Sequence, residues 1–173
     1  MIDNPPSAAL ASTPQTLKVA CLRVGREYYA LDIMCIREII RPLPIVPVPK
    51  APVFVDGVIH LRKAVIPVVD LRRRFSLSPA PQEETKRRII ICVLDGRVAG
   101  LVADEVTEVY NCRQTDIRPT PYYLNGPEAE LFPGICRKGN DLLLLLDLRK
   151  ILTSSRRIDL DHVREQLEPE REQ

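Results

Sequence analysis

The sequence lacks several features on which chemically specialised proteins depend. Its 173 residues include no tryptophan, three phenylalanines, two histidines and seven glycines. So few aromatic rings disfavour a surface that stacks nucleic-acid bases, and a net charge of +2 is too small for a protein that mainly neutralises phosphates. The sequence contains no phosphate-binding glycine-rich loop, no nucleophile elbow and no metal-ligand spacing. These absences disfavour the common enzyme and nucleic-acid-binding classes.

Long apolar segments and paired cysteines are also missing. The longest uninterrupted apolar run, 89–94, is far shorter than the roughly 20 residues of a membrane-spanning helix. The first sixteen residues have no basic start and no long apolar centre, so we expect no export signal and a cytoplasmic location. The cysteines are odd in number and form no C-x-x-C pair, which predicts reduced and mostly buried core residues. They are Cys21, Cys35, Cys92, Cys112 and Cys136.

Sixteen prolines divide the remaining chain into short segments. Residues 1–16 are rich in proline, serine and alanine and are predicted to be a flexible leader. Residues 17–152 alternate as short strands joined by turns and are predicted to form the folded domain. Residues 153–173 are predicted to form a C-terminal amphipathic helix and tail, because Leu160, Val163 and Leu167 fall on one helical face.

The central part of the chain repeats internally. Residues 57–70 align without a gap on residues 134–147, and the final aspartate of each segment is followed by Leu-Arg. Residues 36–39 correspond in the same way to residues 106–109. Two copies are too few for a solenoid, so the repeat predicts two similar β units that share a core. Each copy has about five short strands, enough to curl into a small barrel.

Candidate catalytic and nucleic-acid-binding groups are few. Asp70 and Asp147 occupy equivalent positions in the repeat, which favours backbone capping of the following turn over an acid–base pair. An enzyme that uses these carboxylates or His60 is an alternative, although nothing in the spacing supports it. The basic clusters 72–74 and 86–88 suggest a small β-barrel nucleic-acid binder as a second alternative. Solvated surface charge is the favoured interpretation of both clusters.

The most distinctive pattern places apolar residues where we expect exposure. Ile33, Ile36 and Ile39 are spaced by three residues, so they cannot all face inward from one strand, whose side chains alternate with period two. Arg62 follows a strand-like run close to its end. An arginine beside exposed aliphatic side chains is typical of protein–protein hot spots. The residues by themselves therefore indicate a non-enzymatic binding module.

Several motifs in order resemble the CheW-like family of bacterial chemosensory coupling proteins. The central segment 54–72, FVDGVIHLRKAVIPVVDLR, is the most similar. Segments 29–33 with 37–39, 48–52, 100–106 and 144–148 agree with the same family. The resemblance extends from about Leu17 to Leu152, and several separated motifs make it far more specific than one.

The resemblance implies a mainly β fold in which residues 17–152 form two intertwined, five-stranded SH3-like barrels around a shared hydrophobic core, followed by a short C-terminal helix. It also implies an adaptor with no catalytic activity and no cofactor. The implied partners are the cytoplasmic tip of a chemoreceptor, the regulatory domain of a CheA-type histidine kinase, and other CheW-like proteins in array rings. Nucleic acid is not among them. The adaptor would lie in the cytoplasm, recruited to membrane receptor arrays without inserting into the membrane itself.

The resemblance also assigns roles to particular residues. Ile33, Ile36, Glu38 and Arg62 are implied to face the receptor, and Gly57 and Val58 the kinase.

One motif departs from the family. It usually reads Asn-Leu-Arg-Gly, whereas this chain has His60-Leu61-Arg62-Lys63. If the turn requires a positive φ, Lys63 in place of glycine costs about 1 kcal/mol. The departure predicts a specialised paralogue that serves either a particular receptor or a non-motility chemosensory pathway.

Overall fold

A computed structural model describes residues 15–51, 54–75, 77, 84–120 and 130–153 of the protein. Most of the leader, most of the segment that joins the two repeats and the C-terminal segment from residue 154, with its predicted helix, lie outside the described residues. The described strands and helices are β1 Thr16–Val24, β2 Glu27–Asp32, β3 Ile36–Ile40, β4 Val55–Leu61, β5 Ala64–Asp70, α1 Leu71–Arg74, β6 Arg88–Leu94, β7 Arg97–Ala103, β8 Glu105–Arg113, β9 Ile117–Pro119, β10 Gly134–Lys138, β11 Asp141–Leu145 and α2 Leu148–Thr153.

The strands form two sheets, which confirms the prediction of a mainly β fold. One sheet has six strands in the order β8-β1-β2-β11-β10-β9, and the other has five in the order β3-β6-β7-β5-β4. Strands that follow one another in the chain and are adjacent in a sheet pair antiparallel. The pairs β5 with β7 and β11 with β2 are parallel. The two parallel pairs occupy equivalent places in the two sheets.

Chain connectivity requires the six-stranded sheet to curl. Strands β8 and β9 lie at its opposite edges, yet only residues 114–116 separate them along the chain. A connection of that length reaches about 15 Å, whereas the outer strands of a flat six-stranded sheet lie about 24 Å apart. In the five-stranded sheet the chain after β3 likewise returns to the free edge of β4, where Val46 and Val58 exchange backbone hydrogen bonds of 2.8 and 2.9 Å. Curling brings the edges of each sheet together, as in a small barrel.

Each barrel contains strands from both repeats. The first repeat comprises β1–β5 and the second β6–β11, but the hairpin β6–β7 lies in the sheet with β3, β4 and β5, and the hairpin β1–β2 lies in the sheet with β8 to β11. The expectation that each copy curls into its own barrel is therefore wrong in this detail. The reason is the long-range pairing of the strands. In the first repeat β5 pairs with β7 of the second, and at the equivalent positions β11 of the second repeat pairs with β2 of the first.

Three apolar clusters fill the fold. One lies within the six-stranded sheet and one within the five-stranded sheet. The third, central cluster draws residues from both sheets and both helices. At its middle the ring centroids of Tyr29, Phe75 and Phe132 lie 4.9 to 5.8 Å apart. The central cluster is the shared core that the sequence predicts.

The cysteine prediction is confirmed. All five cysteines are free, four are buried, and Cys35 is half-buried. Burial raises the pKa of the Cys92 thiol to about 12, and burial together with contact to Cys136 raises the pKa of Cys112 to about 12. These thiols therefore remain protonated and contribute apolar packing.

The predicted capping aspartates are also confirmed. Asp70 ends β5, and its carboxylate accepts a 2.9 Å hydrogen bond from the backbone N–H of Arg72. Asp147 accepts a 3.1 Å hydrogen bond from the backbone N–H of Lys150. Each carboxylate satisfies an N–H group in the first turn of its helix that has no partner within the helix.

Tyr29 offers a test of the central core. Its side chain is fully buried, and within the described residues its hydroxyl has no hydrogen-bond partner. Burial, with a smaller effect of Glu27, strongly raises its pKa. We expect Tyr29→Phe to stabilise the protein by about 1 kcal/mol, because it removes a desolvated hydroxyl without leaving a cavity. Urea unfolding measures the change, with Tyr28→Phe on the half-buried neighbour as the control. A destabilised Tyr29→Phe protein would show that the hydroxyl is satisfied.

Candidate docking surface

An ion pair joins Glu38 and Arg62, two of the residues predicted to face the receptor. Glu38 lies on β3, and Arg62 lies at the tip of the β4–β5 hairpin, 24 residues later. The two guanidinium NH groups donate to the two carboxylate oxygens at 3.0 and 2.8 Å. The Arg62 side chain is nevertheless 74% exposed, and that of Glu38 is 24% exposed. The pair therefore orients the guanidinium in the fork geometry that favours directional recognition and leaves it accessible.

The apolar candidates lie on and beside a short turn that joins β2 to β3. Asp32 begins this 3-10 turn, and its side chain accepts a 2.9 Å hydrogen bond from the N–H of Met34. The N–H of Ile36 donates to the carbonyl of Ile33, and both isoleucines are half-buried. Ile36 packs against the central core. The local hydrogen bonds thus fix the turn that carries Ile33, whereas Ile36 lies on the strand that follows.

Sequence analysis missed two exposed apolar residues in this region. Met34 is 86% exposed at the centre of the turn, and Val65 is 60% exposed on β5. Val65 is the cross-strand partner of His60, whose side chain is also exposed. The alternation of side chains along β5 could have predicted the exposure of Val65, because Ile66 is buried and the residue before it must point outward.

The tip of the β4–β5 hairpin has an unusual backbone conformation. Leu61 pairs with Ala64, so Arg62 and Lys63 form a two-residue turn. Their φ values are +47° and +71°, as in a type I′ turn. The sequence-based concern about a positive φ at Lys63 is therefore confirmed.

Gly57 and Val58 lie at the other end of β4. The extended chain from Gly57 to Arg62 spans about 16 Å, so the two predicted docking regions are separate. Gly57 is buried at a register shift of β4 with a φ of +153°. Val58 is half-buried and exchanges backbone hydrogen bonds with Val46. Both residues therefore line the seam where the chain crosses the edge of the five-stranded sheet.

The interpretation of the basic clusters as solvated charge is wrong at two positions. Arg74 is buried, and its Nε donates to the carbonyl of Ile151 at 3.0 Å while the guanidinium lies 4.9 Å from the centroid of the Phe54 ring. Arg72 is mostly buried against Asp104. Two further ion pairs involve these clusters: Arg73 with Asp56 and Arg87 with Asp70. The clusters are largely committed to the fold, which leaves the nucleic-acid alternative without support.

Asp104 connects several elements of the two sheets through hydrogen bonds. It follows β7, and it accepts hydrogen bonds from the Arg72 guanidinium at 2.6 to 2.9 Å. Its Oδ2 also accepts a 2.8 Å bond from the N–H of Gly25, in the turn between β1 and β2. Burial by itself raises the pKa of Asp104, but the bonds from Arg72 and Gly25 outweigh burial and hold the pKa below its usual value. The carboxylate therefore stays ionised and links both sheets to α1.

The carboxylates of the enzyme alternative have structural contacts. Burial raises the pKa of Asp70 despite the opposing charge of Arg87, whose NH2 lies 2.8 Å from its Oδ2. Asp147 caps α2. Across the described ranges, no group of three histidine, cysteine or acidic residues is arranged to hold a metal ion. In the same part of the chain, no helix has the length and apolarity needed to cross a membrane.

Comparisons with known proteins agree on one family. The family model described as a CheW-like domain matches residues 18–156. The chain is similar to a chemotaxis protein CheW of Treponema pallidum, 30% identical over 84% of this chain and 87% of the relative. A chemotaxis protein CheW of Rhizobium meliloti is 34% identical over 81% and 90% of the two chains. The protein FrzA of Myxococcus xanthus is 29% identical over 88% and 95%.

A solved structure gives the same result for the fold. The crystal structure of the scaffolding protein TtCheW from Thermoanaerobacter tengcongensis superposes with a TM-score of 0.74 at 28% sequence identity. The match covers 86% of this chain and 96% of that one. Because the family model spans both repeats and the relatives align over nearly their whole lengths, the chain belongs to the CheW-like family.

Proposed function

We propose that this protein is a chemosensory coupling adaptor that joins a chemoreceptor to a CheA-type histidine kinase and catalyses no reaction itself. The observation that supports the proposal is the exposed Arg62 guanidinium, held by Glu38 beside exposed apolar side chains, on a chain of the CheW-like family. The relatives named as chemotaxis proteins and the scaffolding protein support the same class. No observation favours a nucleic-acid partner.

The receptor-facing surface consists of Ile33, Ile36, Glu38 and Arg62 in this proposal. Aliphatic side chains provide contact area for an amphipathic helix of the receptor tip, and a charged fork fixes its register. Ile33 and Ile36 are only half-buried, so part of their surface is available to such a helix. Met34, which is almost fully exposed beside them, enlarges the apolar area.

The kinase-facing surface is the seam at Gly57 and Val58, which receives the regulatory domain of the kinase. The neighbouring residues Val46 and Val48 are 48% and 42% exposed and supply apolar contact area. Separate receptor and kinase surfaces allow one adaptor to contact both partners at once. Further contacts with CheW-like proteins would extend the assembly into array rings at the membrane, where weak contacts gain strength through avidity.

Direct binding tests the proposal. The purified full chain is immobilised, and a CheA-type regulatory domain and a receptor cytoplasmic hairpin, both from the organism that encodes the protein, are passed over it separately and together. We expect each fragment to bind alone and both to bind simultaneously. Failure to bind any CheA-type regulatory domain would contradict the adaptor function.

The variant Arg62→Glu tests the receptor surface. Charge reversal removes the guanidinium and places a carboxylate opposite Glu38, so we expect at least tenfold weaker binding to the receptor hairpin. Unfolding free energy should stay within about 1 kcal/mol of the parent, because the side chain is mostly exposed. The matched control is Arg149→Glu, which reverses the charge of an exposed arginine on α2 that pairs with Asp95. Unchanged receptor binding by Arg62→Glu would remove Arg62 from the site.

A further inference from the structure

Among the four two-residue hairpin turns in the described part of the chain, one lacks a glycine. The turns Gly25-Arg26, Asp95-Gly96 and Gly139-Asn140 each contain a glycine at positive φ. The fourth turn, Arg62-Lys63, contains none, although both of its residues have positive φ. Such conformations are disfavoured for residues with a side chain, and long cationic side chains gain nothing there from local hydrogen bonding.

The internal repeat provides a direct comparison for this turn. The gap-free alignment of 57–70 on 134–147 places Arg62 opposite Gly139 and Lys63 opposite Asn140. The second repeat thus closes the equivalent hairpin with one positive φ, which a glycine adopts at Gly139, whereas the first repeat places two cations at positive φ. Backbone strain of this kind concentrates at functional sites. The geometry therefore indicates that the two side chains are retained for a reason other than turn stability.

The two cations of this turn differ in their partners. Arg62 is bound by the Glu38 carboxylate through both of its NH groups. Within the described residues, Lys63 has neither a hydrogen bond nor an ion pair, and it is exposed. The hairpin tip thus carries two positive charges beside one carboxylate, and that carboxylate is occupied by Arg62. Next to the tip, His60 and Val65 form an exposed cross-strand pair on the same hairpin.

From this arrangement we infer that Lys63 is a specificity-determining contact for a carboxylate on the partner helix. The occupant is the receptor tip of the proposed function, on which this inference rests. Its docking helix carries an acidic residue positioned for Lys63 and an apolar residue one turn away that packs against Val65. Charge complementarity selects an acidic helix, since the ammonium group at the tip has no anion of its own. The strained turn places Lys63 directly after Arg62 at the exposed hairpin tip.

Opposite effects on stability and binding test the inference. We expect Lys63→Gly to raise the melting temperature by about 3 °C, because it relieves the strain at positive φ. The same change should weaken binding of the receptor hairpin about threefold, and Lys63→Glu should weaken it about tenfold. Lys63→Arg should bind as the parent does. Fluorescence anisotropy at two salt concentrations measures binding, and the advantage of the parent over Lys63→Gly should shrink at high salt.

Variants of the probe complete the design. A receptor hairpin in which the acidic residues of the docking helix are changed singly to the corresponding amides should contain one position where the loss seen with Lys63→Gly disappears. Equal binding by the parent, Lys63→Gly and Lys63→Glu would overturn the inference and leave the adaptor function standing. Failure of the parent to bind the receptor hairpin would instead refute the proposed receptor contact. A loss confined to the kinase domain, or to anionic vesicles, would overturn the choice of occupant.

Discussion

Gly57→Ala is expected to destabilise the protein by about 4 kcal/mol, enough to reduce the folded fraction of a marginal domain. Two effects combine at this position. The φ of +153° is a conformation that residues with a side chain rarely adopt. An added Cβ would also meet the Val46 backbone, with its carbonyl carbon 2.8 Å away, and the Ile45 Cγ2 at 2.9 Å. The segment around Val46 crosses the edge of β4, and we call it the crossing segment. Its backbone cannot move without breaking the hydrogen bonds that Val46 exchanges with Val58.

A second glycine separates the two effects. Gly96 has a φ of +74°, and a Cβ there would meet nothing within 4 Å. Gly96→Ala should therefore lose only about 1 kcal/mol, the cost of the positive φ. Urea unfolding of both variants measures the difference. Equal losses would show that the crossing segment adapts and that Gly57 is not required for close approach.

The Gly57 variant bears directly on how a kinase surface should be mapped. A loss of kinase binding in Gly57→Ala would follow from a displaced crossing segment, whatever the kinase contacts. Val58 is half-buried, and its pairing with Val46 uses backbone groups alone. Changing the Val58 side chain therefore probes the proposed kinase surface with less disturbance of the seam.

Asp104→Asn is the second substitution with a large expected effect, a loss of about 3 kcal/mol. The change neutralises one side of the mostly buried Asp104–Arg72 ion pair, and breaking a buried pair by removing one charge is strongly destabilising. The matched control is Asp95→Asn, which neutralises an aspartate whose ion pair with Arg149 is more than half exposed. Exposed pairs contribute little, so the control should unfold like the parent. Similar losses in both variants would contradict a special role for Asp104.

The pH dependence of unfolding checks the same cluster. Because the folded-state pKa of Asp104 lies below its usual value, its stabilisation is complete above about pH 4. It is lost as pH falls through the lowered folded-state pKa. The difference between the parent and Asp104→Asn should therefore be constant near neutrality and shrink below about pH 4. A difference that grows on acidification would reverse the assigned direction of the pKa shift.

The local features of the fold could be predicted from sequence because each depends on neighbouring residues. Alternation and turn residues predicted short strands joined by turns over residues 17–152, and the described strands agree. The aspartates before the two helices were predicted as caps from their repeated position. The repeat and the Arg62 hairpin followed from short motifs. These features need no knowledge of which distant segments meet.

Features that depend on distant contacts could not be predicted. Asp104 is far from Arg72 in sequence, and nothing local to Arg72 distinguishes its ion pair from a solvated side chain. The resemblance implied intertwined barrels, but which hairpins are exchanged could not be predicted, for a similar reason. The repeat alignment shows which strands are equivalent but not which copy each hairpin joins. The ion pair of Glu38 with Arg62 could not be predicted either, because it depends on the fold placing the hairpin tip beside β3.

The exchange of hairpins has a mechanical consequence for an adaptor. Each half of the chain contributes two strands to the sheet of the other half. A fragment that ends in the segment joining the two repeats would therefore have unpaired strand edges in place of a barrel. Melting should therefore occur as a single event. A load applied between the proposed receptor-facing tip and the proposed kinase-facing seam runs along β4, whose backbone pairs with β5 over its length. Such a body transmits displacement as a stiff link, without a soft joint between its halves.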